Sequence, residues 1–246
     1  MKASPEAQLR LLELADLDAE LARLDHRRQT LPEIAQLEQI DARSKELRDG
    51  IVMADTELSD LDREQTRAER DVDQVRQRID RDRTRLDGGQ VSAARELSNL
   101  QSEVESLHRR QSDLEEVVLD VMERREGAET RRSELITEQE SLAAQAAELT
   151  TKRDAALKEI GEQAAKAEAS RATVVTDVPA DVLTLYDKLR AQQGVGAAML
   201  RRGSCEGCHL TLHTVDLNQI RATPADEIVR CEECRRILVR TAESGL

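Results

Sequence analysis

The sequence predicts a mainly α-helical chain, a long antiparallel coiled-coil hairpin that carries a small β module at its C-terminal end. Three observations predict it. An apolar repeat of spacing 3-4 runs on both sides of Gly88-Gly89; 35% of the 246 residues are charged, with no Phe, no Trp and the single Tyr186; and all four cysteines fall in the last 42 residues. A chain with so little aromatic bulk buries narrow apolar stripes rather than a thick core, as long helices do.

The first stripe is Leu14, Leu17, Leu21, Leu24 and Leu31, followed by Pro32. A proline there removes an amide donor and clashes with the preceding turn, so a kink or short break is expected near residues 28–33. From Leu37 the spacing continues through Ile40, Ser44, Leu47, Ile51, Ala54, Leu58, Leu61, Gln65, Ala68, Val72, Val75, Ile79, Asp82 and Leu86, twelve of fifteen positions being apolar. That is a coiled-coil seam of period 3.5, which no strand reproduces.

Gly88-Gly89 breaks the helix and predicts a turn near 87–93. A second seam runs Leu97, Leu100, Val104, Leu107, Gln111, Leu114, Val118, Val121, Arg125, Ala128, Arg132, Leu135, Gln139, Leu142, Ala146 and Leu149. Neither helix can bury its stripe alone, so the two fold back on one another. Residues whose numbers sum to about 186 then face each other, Leu37 against Leu149, Ile51 against Leu135 and Val72 against Leu114. The polar interruptions serve register, with Arg125 and Arg132 extending their stems along the seam to keep their charges in water. The same pairing sets residues 14–31 beside residues 155–172.

After Ser170 the pattern stops. Ala172-Thr173-Val174-Val175-Thr176-Asp177-Val178 reads as an extended linker before Pro179. A short helix is expected from there to about Gln192, with Val182, Leu185, Tyr186 and Leu189 on one face and Gly194 at its end. The expected domains are a hairpin over 1–172, linker and helix over 173–194, and the cysteine module over 195–246.

Cys205-Glu206-Gly207-Cys208 and Cys231-Glu232-Glu233-Cys234, 22 residues apart, are two knuckles. Each aims two thiolates at one point, and together they supply the tetrahedron that Zn²⁺ favours. A helix at Val215–Arg221 fills the gap, and strand-like runs at Val195–Leu200, Glu227–Arg230 and Ile237–Arg240 flank the knuckles, which is the order of a zinc ribbon. One structural Zn²⁺ on Cys205, Cys208, Cys231 and Cys234 is expected, with His209 and His213 outside the ligand set. Four protein ligands leave no open position for catalysis, and a thioredoxin-like setting for a redox CxxC is absent.

The formal charge is −13, and residues 1–172 hold 28 Lys/Arg against 40 Asp/Glu. An arm so acidic repels nucleic acid and anionic lipid. Any nucleic-acid contact is therefore expected at the ribbon, where Arg201, Arg202, Arg235, Arg236 and Arg240 lie among acidic neighbours. No glycine-rich phosphate loop, nucleophile elbow or spanning segment occurs, and the chain is read as cytoplasmic and non-enzymatic.

The hairpin, the stretch Ala94-Arg95-Glu96-Leu97-Ser98-Asn99-Leu100-Gln101-Ser102-Glu103 after its turn, and Cys231-Glu-Glu-Cys234-Arg235-Arg236-Ile237-Leu238 resemble the bacterial C4-type zinc ribbon domain family of coiled-coil proteins. The resemblance implies four cysteines on zinc and a hairpin that serves as an interaction arm. It points to an adaptor or chaperone-like protein with protein partners on the arm, the alternative being a nucleic-acid-binding regulator that uses the ribbon. Where that family often has Gly after the last cysteine, this chain has Arg235.

Overall fold

A computed structural model describes residues 1–89 and 93–246. Part of the expected turn, residues 90–92, lies outside the described residues. The chain divides into two compact units, one of Gln36–Leu149 and one of Met1–Ala35 with Thr150–Leu246. Neither boundary falls at 172 or 194, because the cysteine module packs with helices instead of standing alone.

In the unit Gln36–Leu149, helices α2 (Pro32–Asp87) and α3 (Ala94–Val175) pair along the two seams. Leu47, Ala54, Leu61, Ala68, Val72 and Ile79 are buried from α2, and Leu100, Val104, Leu114, Val121 and Ala128 from α3. Asp82 is buried with them, the remaining seam positions of α2 are half-buried, and Leu97, beside the turn, is exposed. The register follows the expected sum: Arg131 meets Glu57 at 2.9 Å, Arg124 meets Glu64 at 3.4 Å, and Arg76 meets Glu115 at 2.7 Å. Arg132 leaves the seam to pair with Asp55 across the hairpin. Exposed pairs of this kind add about 0–1 kcal/mol each, so the buried apolar seam carries most of the pairing energy.

The other unit begins with helix α1 (Pro5–Gln29), capped by Ser4 Oγ, which accepts from the Ala7 amide at 3.2 Å. It ends at Gln29, and α2 begins at Pro32, where the missing amide donor costs nothing. Leu24 and Leu31 pack against Ile160 of α3. Contrary to the expected extended linker, α3 stays helical through Val175. Thr173 Oγ1 donates to the Ala169 carbonyl at 3.2 Å, and Val174 and Val175 pack against the core, so burial outweighs their β-branched preference. A tight turn then leads to α4 (Ala180–Gln193), which ends at Gly194 with φ 82°.

Four short strands follow: β1 (Ala197–Arg201), β2 (Ser204–Cys205), β3 (Val229–Arg230) and β4 (Ile237–Val239), with helix α5 (Thr214–Ala222) between β2 and β3. The sheet order is β2-β1-β4-β3, and β1 runs parallel to β4. Strand alternation divides the side chains. Ala197, Ile237 and Val239 join Leu11, Leu14, Val182, Tyr186 and Leu189 in a helical core. Ala198, Leu200 and Leu238 face the other way, toward Cys205, Cys231, Leu212 and Ile220.

The N-terminal residues extend this sheet. Lys2 bridges Glu227, the Ala3 amide donates to the Asp226 carbonyl at 2.8 Å, and the Ile228 amide donates to the Met1 carbonyl at 3.1 Å. Gln8 Nε2 holds the Ala3 and Ala225 carbonyls at 2.9 and 2.8 Å.

Three helices also meet at one carboxylate. The Asp18 side chain, 0% exposed, accepts from Tyr186 Oη at 2.6 Å and Arg171 Nε at 2.8 Å, and pairs with Arg190 Nε at 3.1 Å. Burial first, and the Asp18 carboxylate second, hold the Tyr186 phenol protonated far above its ordinary range. Removing one partner from such a buried set leaves charges without an answer, so Asp18→Ala is expected to cost about 3 kcal/mol or more. Tyr186→Phe removes one hydrogen bond to a charged group and should cost about 1.5 kcal/mol. Chemical denaturation of the zinc-loaded chain measures both; an Asp18→Ala variant as stable as the parent would refute the role of the carboxylate.

Candidate metal centre

The two knuckles are built alike. The Cys205 amide donates to the Leu210 carbonyl at 3.0 Å, and the His209 amide to the Cys205 carbonyl at 2.7 Å. At the second knuckle the Cys231 amide donates to the Arg236 carbonyl at 2.9 Å, and the Arg235 amide to the Cys231 carbonyl at 2.9 Å. Closing each turn this way sends the residue after the second cysteine into the left-handed region: φ is 59° at His209 and 64° at Arg235. Gly takes that conformation without steric cost, and Arg235 adopts it all the same.

Gly207 meets a different demand. A Cβ there would lie 2.8 Å from Arg236 Cδ and 2.9 Å from Ala198 Cβ. Arg236 is not free to move aside, because it donates to the carbonyls of Gly207 at 2.8 Å, Gln193 at 2.7 Å and Val195 at 3.2 Å.

The four Sγ atoms of Cys205, Cys208, Cys231 and Cys234 lie within 4.8 Å of one another. Cys205 and Cys234 are 3.8 Å apart, and Cys208 and Cys231 are 3.9 Å apart. A tetrahedron with Zn–S of roughly 2.3 Å has edges of about 3.8 Å. Disulfides are excluded, since an S–S bond is about 2.05 Å. The donor set fits one structural Zn²⁺ held by these four thiolates, with a closed shell.

Electrostatics lead to the same place. Burial pushes the Cys205 thiol up to about 12, and it raises Cys231 as well. It acts in the same sense on Cys234, but the Arg236 amide and the neighbouring thiols outweigh it and bring that group down to about 7. Without a cation the Cys205 and Cys231 thiols therefore keep their protons. Zinc displaces them, and its binding energy is folding energy for the sheet around it.

His209 follows the first knuckle and His213 precedes α5; both are exposed and outside the sulfur cluster. The five arginines are not gathered. Arg201 pairs with Glu206 at 3.3 Å and Glu243 at 2.9 Å. Arg240 donates to the carbonyls of Thr223 and Pro224 at 2.7 Å each and of Glu227 at 2.9 Å, fastening the loop after α5. Arg236 is committed to backbone, as described. Arg235 reaches Glu232 at 3.5 Å, and Arg202 is exposed. The clamping roles of Arg236 and Arg240 escaped the sequence reading, because nothing in the spacing of an arginine marks carbonyls brought together by loops.

The model of the CT398-like coiled coil hairpin domain matches residues 14–194, and that of the C4-type zinc ribbon domain matches residues 204–238. The chain belongs to the CT398-like coiled coil hairpin family. An uncharacterized protein of Mycobacterium tuberculosis is 37% identical over 240 residues, 98% of each chain. A solved structure from Mycobacterium smegmatis, 37% identical, has a TM-score of 0.83 and covers 98% of this chain and 100% of that one. CT398 from Chlamydia trachomatis has a TM-score of 0.71 over 96% of this chain and 98% of that one; at 19% identity it shows the shared fold alone. Family membership agrees with the expected architecture, a helical hairpin joined to a four-cysteine ribbon.

Zinc binds the thiolates, so protons compete increasingly as pH falls below the thiol values. Chelator competition should show zinc held at pH 8 and released progressively toward pH 5.5; an affinity constant across that range would contradict the proton-holding apo site. Within the knuckles, Arg235→Gly should raise stability by up to about 1 kcal/mol by relieving a left-handed residue. Gly207→Ala should lower it and weaken zinc retention. Thermal melts of the two loaded variants decide, and the reverse order would refute the reading of these turns.

Proposed function

We propose that the chain is a non-enzymatic adaptor or chaperone-like protein whose coiled-coil arm holds a protein partner, the zinc site serving to fold the unit that contains it. The observation that carries this is the surface of the unit Gln36–Leu149. Its seam is already closed by its own hairpin, yet Val52, Met53, Val117, Leu119 and Met122 stand exposed on it. Its net charge is negative, 18 Lys/Arg against 29 Asp/Glu. Apolar side chains on an acidic helical surface suit contact with protein and discourage contact with nucleic acid. Among the described residues no helix is long and apolar enough to cross a membrane.

The alternative, nucleic-acid binding through the ribbon, has less to rest on. Of the five arginines that carry this alternative, Arg236 and Arg240 are engaged with backbone carbonyls and Arg201 with two carboxylates. Phosphate binding would have to begin from Arg202 and Arg235.

Affinity purification of the tagged, zinc-loaded chain from its native cell, run in parallel with and without nuclease, tests the reading. A specific protein recovered at physiological salt is the expected result. Retention of RNA or DNA alone, with log affinity falling steeply against log salt and flattened by replacing Arg202 and Arg235, would overturn it in favour of the alternative.

A further inference from the structure

The exposed apolar residues of the acidic arm are not scattered evenly. From Gln111 to Glu123 the sequence Gln-Ser-Asp-Leu-Glu-Glu-Val-Val-Leu-Asp-Val-Met-Glu holds five carboxylates and no Lys or Arg. Leu119 and Met122 within it are 59% and 47% exposed. Three residues apart on one helix, they share a flank of α3.

That flank borders a groove of about 430 Å³ between α2 and α3, in which Leu119 stands beside Val72 and Val118. The groove is rimmed by Glu69, Asp73 and Glu115, with Arg76 the one cation among its lining residues. Arg76 is held by Glu115 at 2.7 Å, with Asp73 3.9 Å away. Glu115 also accepts from Gln111 at 2.8 Å, and these two hydrogen bonds hold its carboxyl below the usual range. One turn beyond Leu119 and Met122 lie Glu123 and Glu126, both exposed. The nearby Arg125 is 3.8 Å from Glu129 on its own helix.

We propose that this groove, with Leu119 and Met122 beside it, docks a basic amphipathic helical segment of a partner protein, the apolar stripe of the segment on these two residues and its Lys and Arg side chains on the surrounding carboxylates. This deepens the adaptor reading and rests on it. Charge complementarity selects the occupant. A second copy of the arm would bring its own excess of carboxylates, and nucleic acid or an anionic membrane would bring phosphates, so each is repelled at the same rim. A methionine beside a leucine on an open helical face also suits apolar side chains of varied shape.

The test uses the full, zinc-loaded chain and a defined probe, a fluorescent 18-residue helical peptide with a leucine stripe and lysines on its polar face. A control peptide carries glutamates in place of the lysines. Fluorescence anisotropy should show the lysine peptide binding with an affinity that falls as salt rises, and no binding of the glutamate peptide. Leu119→Ser with Met122→Ser should weaken binding by roughly tenfold or more. Glu123→Gln with Glu126→Gln should reduce its salt dependence, while Val52→Ser with Met53→Ser, exposed apolar residues away from the groove, should leave it unchanged.

All these residues are exposed, so the melting temperature should stay with the parent and report intact folding. Equal binding of both peptides, no binding of the lysine peptide, or binding indifferent to Leu119→Ser with Met122→Ser would overturn the proposal. Failure of the adaptor reading looks different. If the parent captures a specific protein from the cell and the Leu119→Ser, Met122→Ser variant captures it equally, the groove is wrong and the adaptor stands; if the parent captures none, the adaptor reading itself falls.

Discussion

Two knuckles separated by 22 residues bring four sulfur atoms to within 4.8 Å of one another, and four thiolates that close repel one another unless a cation joins them. The surrounding sheet is small. Its strands are two to five residues long, and the largest of their side chains are Met199, Leu200, Arg201, Arg230, Ile237 and Leu238. Because strand side chains alternate, the two central strands β1 and β4 touch both the sulfur-side core and the helical core. Leu238 faces the cysteines, while Ile237 and Val239 face α1 and α4. The metal-dependent core and the helical core thus share a backbone, and neither can loosen without moving the other. That explains why the cysteine module is not a separate compact unit.

The same unit is fastened at points far apart in sequence. Asp18 joins residues 153 and 168 positions away through Arg171 and Tyr186. Arg236 ties the first knuckle to the end of α4, and Arg240 gathers carbonyls of the loop against which residues 1–3 pair. These are charge-assisted bonds, and at the buried Asp18 carboxylate their loss leaves a penalty larger than the net gain of making them. They make the arrangement specific more than they make it strong.

What the sequence revealed follows from how far each interaction reaches. Leu61, Val121 and Ala128 were legible because a heptad stripe is a local property that needs only a partner of equal period, and the register near 186 follows once the turn is placed at the glycines. The zinc ligands were legible because knuckle spacing is local chemistry. Asp18 was not: on a helix already rich in carboxylates it resembles a solvated flank, and only the uniqueness of Tyr186 hinted at a buried aromatic with a hydroxyl to satisfy. Val174 and Val175 misled for the opposite reason. Their intrinsic preference is extended, and it yielded to the burial offered by α1 and α4, which no local window contains.

The arm raises a different question, since a hairpin with exposed Leu119 and Met122 ought to associate with itself. Its charge answers this. With 29 acidic residues against 18 basic ones in Gln36–Leu149, two arms approaching each other must bring carboxylate rims together before their apolar residues can touch. The interhelix pairs, Arg76 with Glu115 and Arg131 with Glu57 among them, consume much of the arginine within the hairpin, so the unpaired excess left on the outside is negative. Under the docking proposed for it, an apolar patch ringed by carboxylates would disfavour its own kind and phosphate backbones and favour a surface of opposite sign. On that reading the acidity of the arm would act as a filter on which partner reaches its exposed apolar residues.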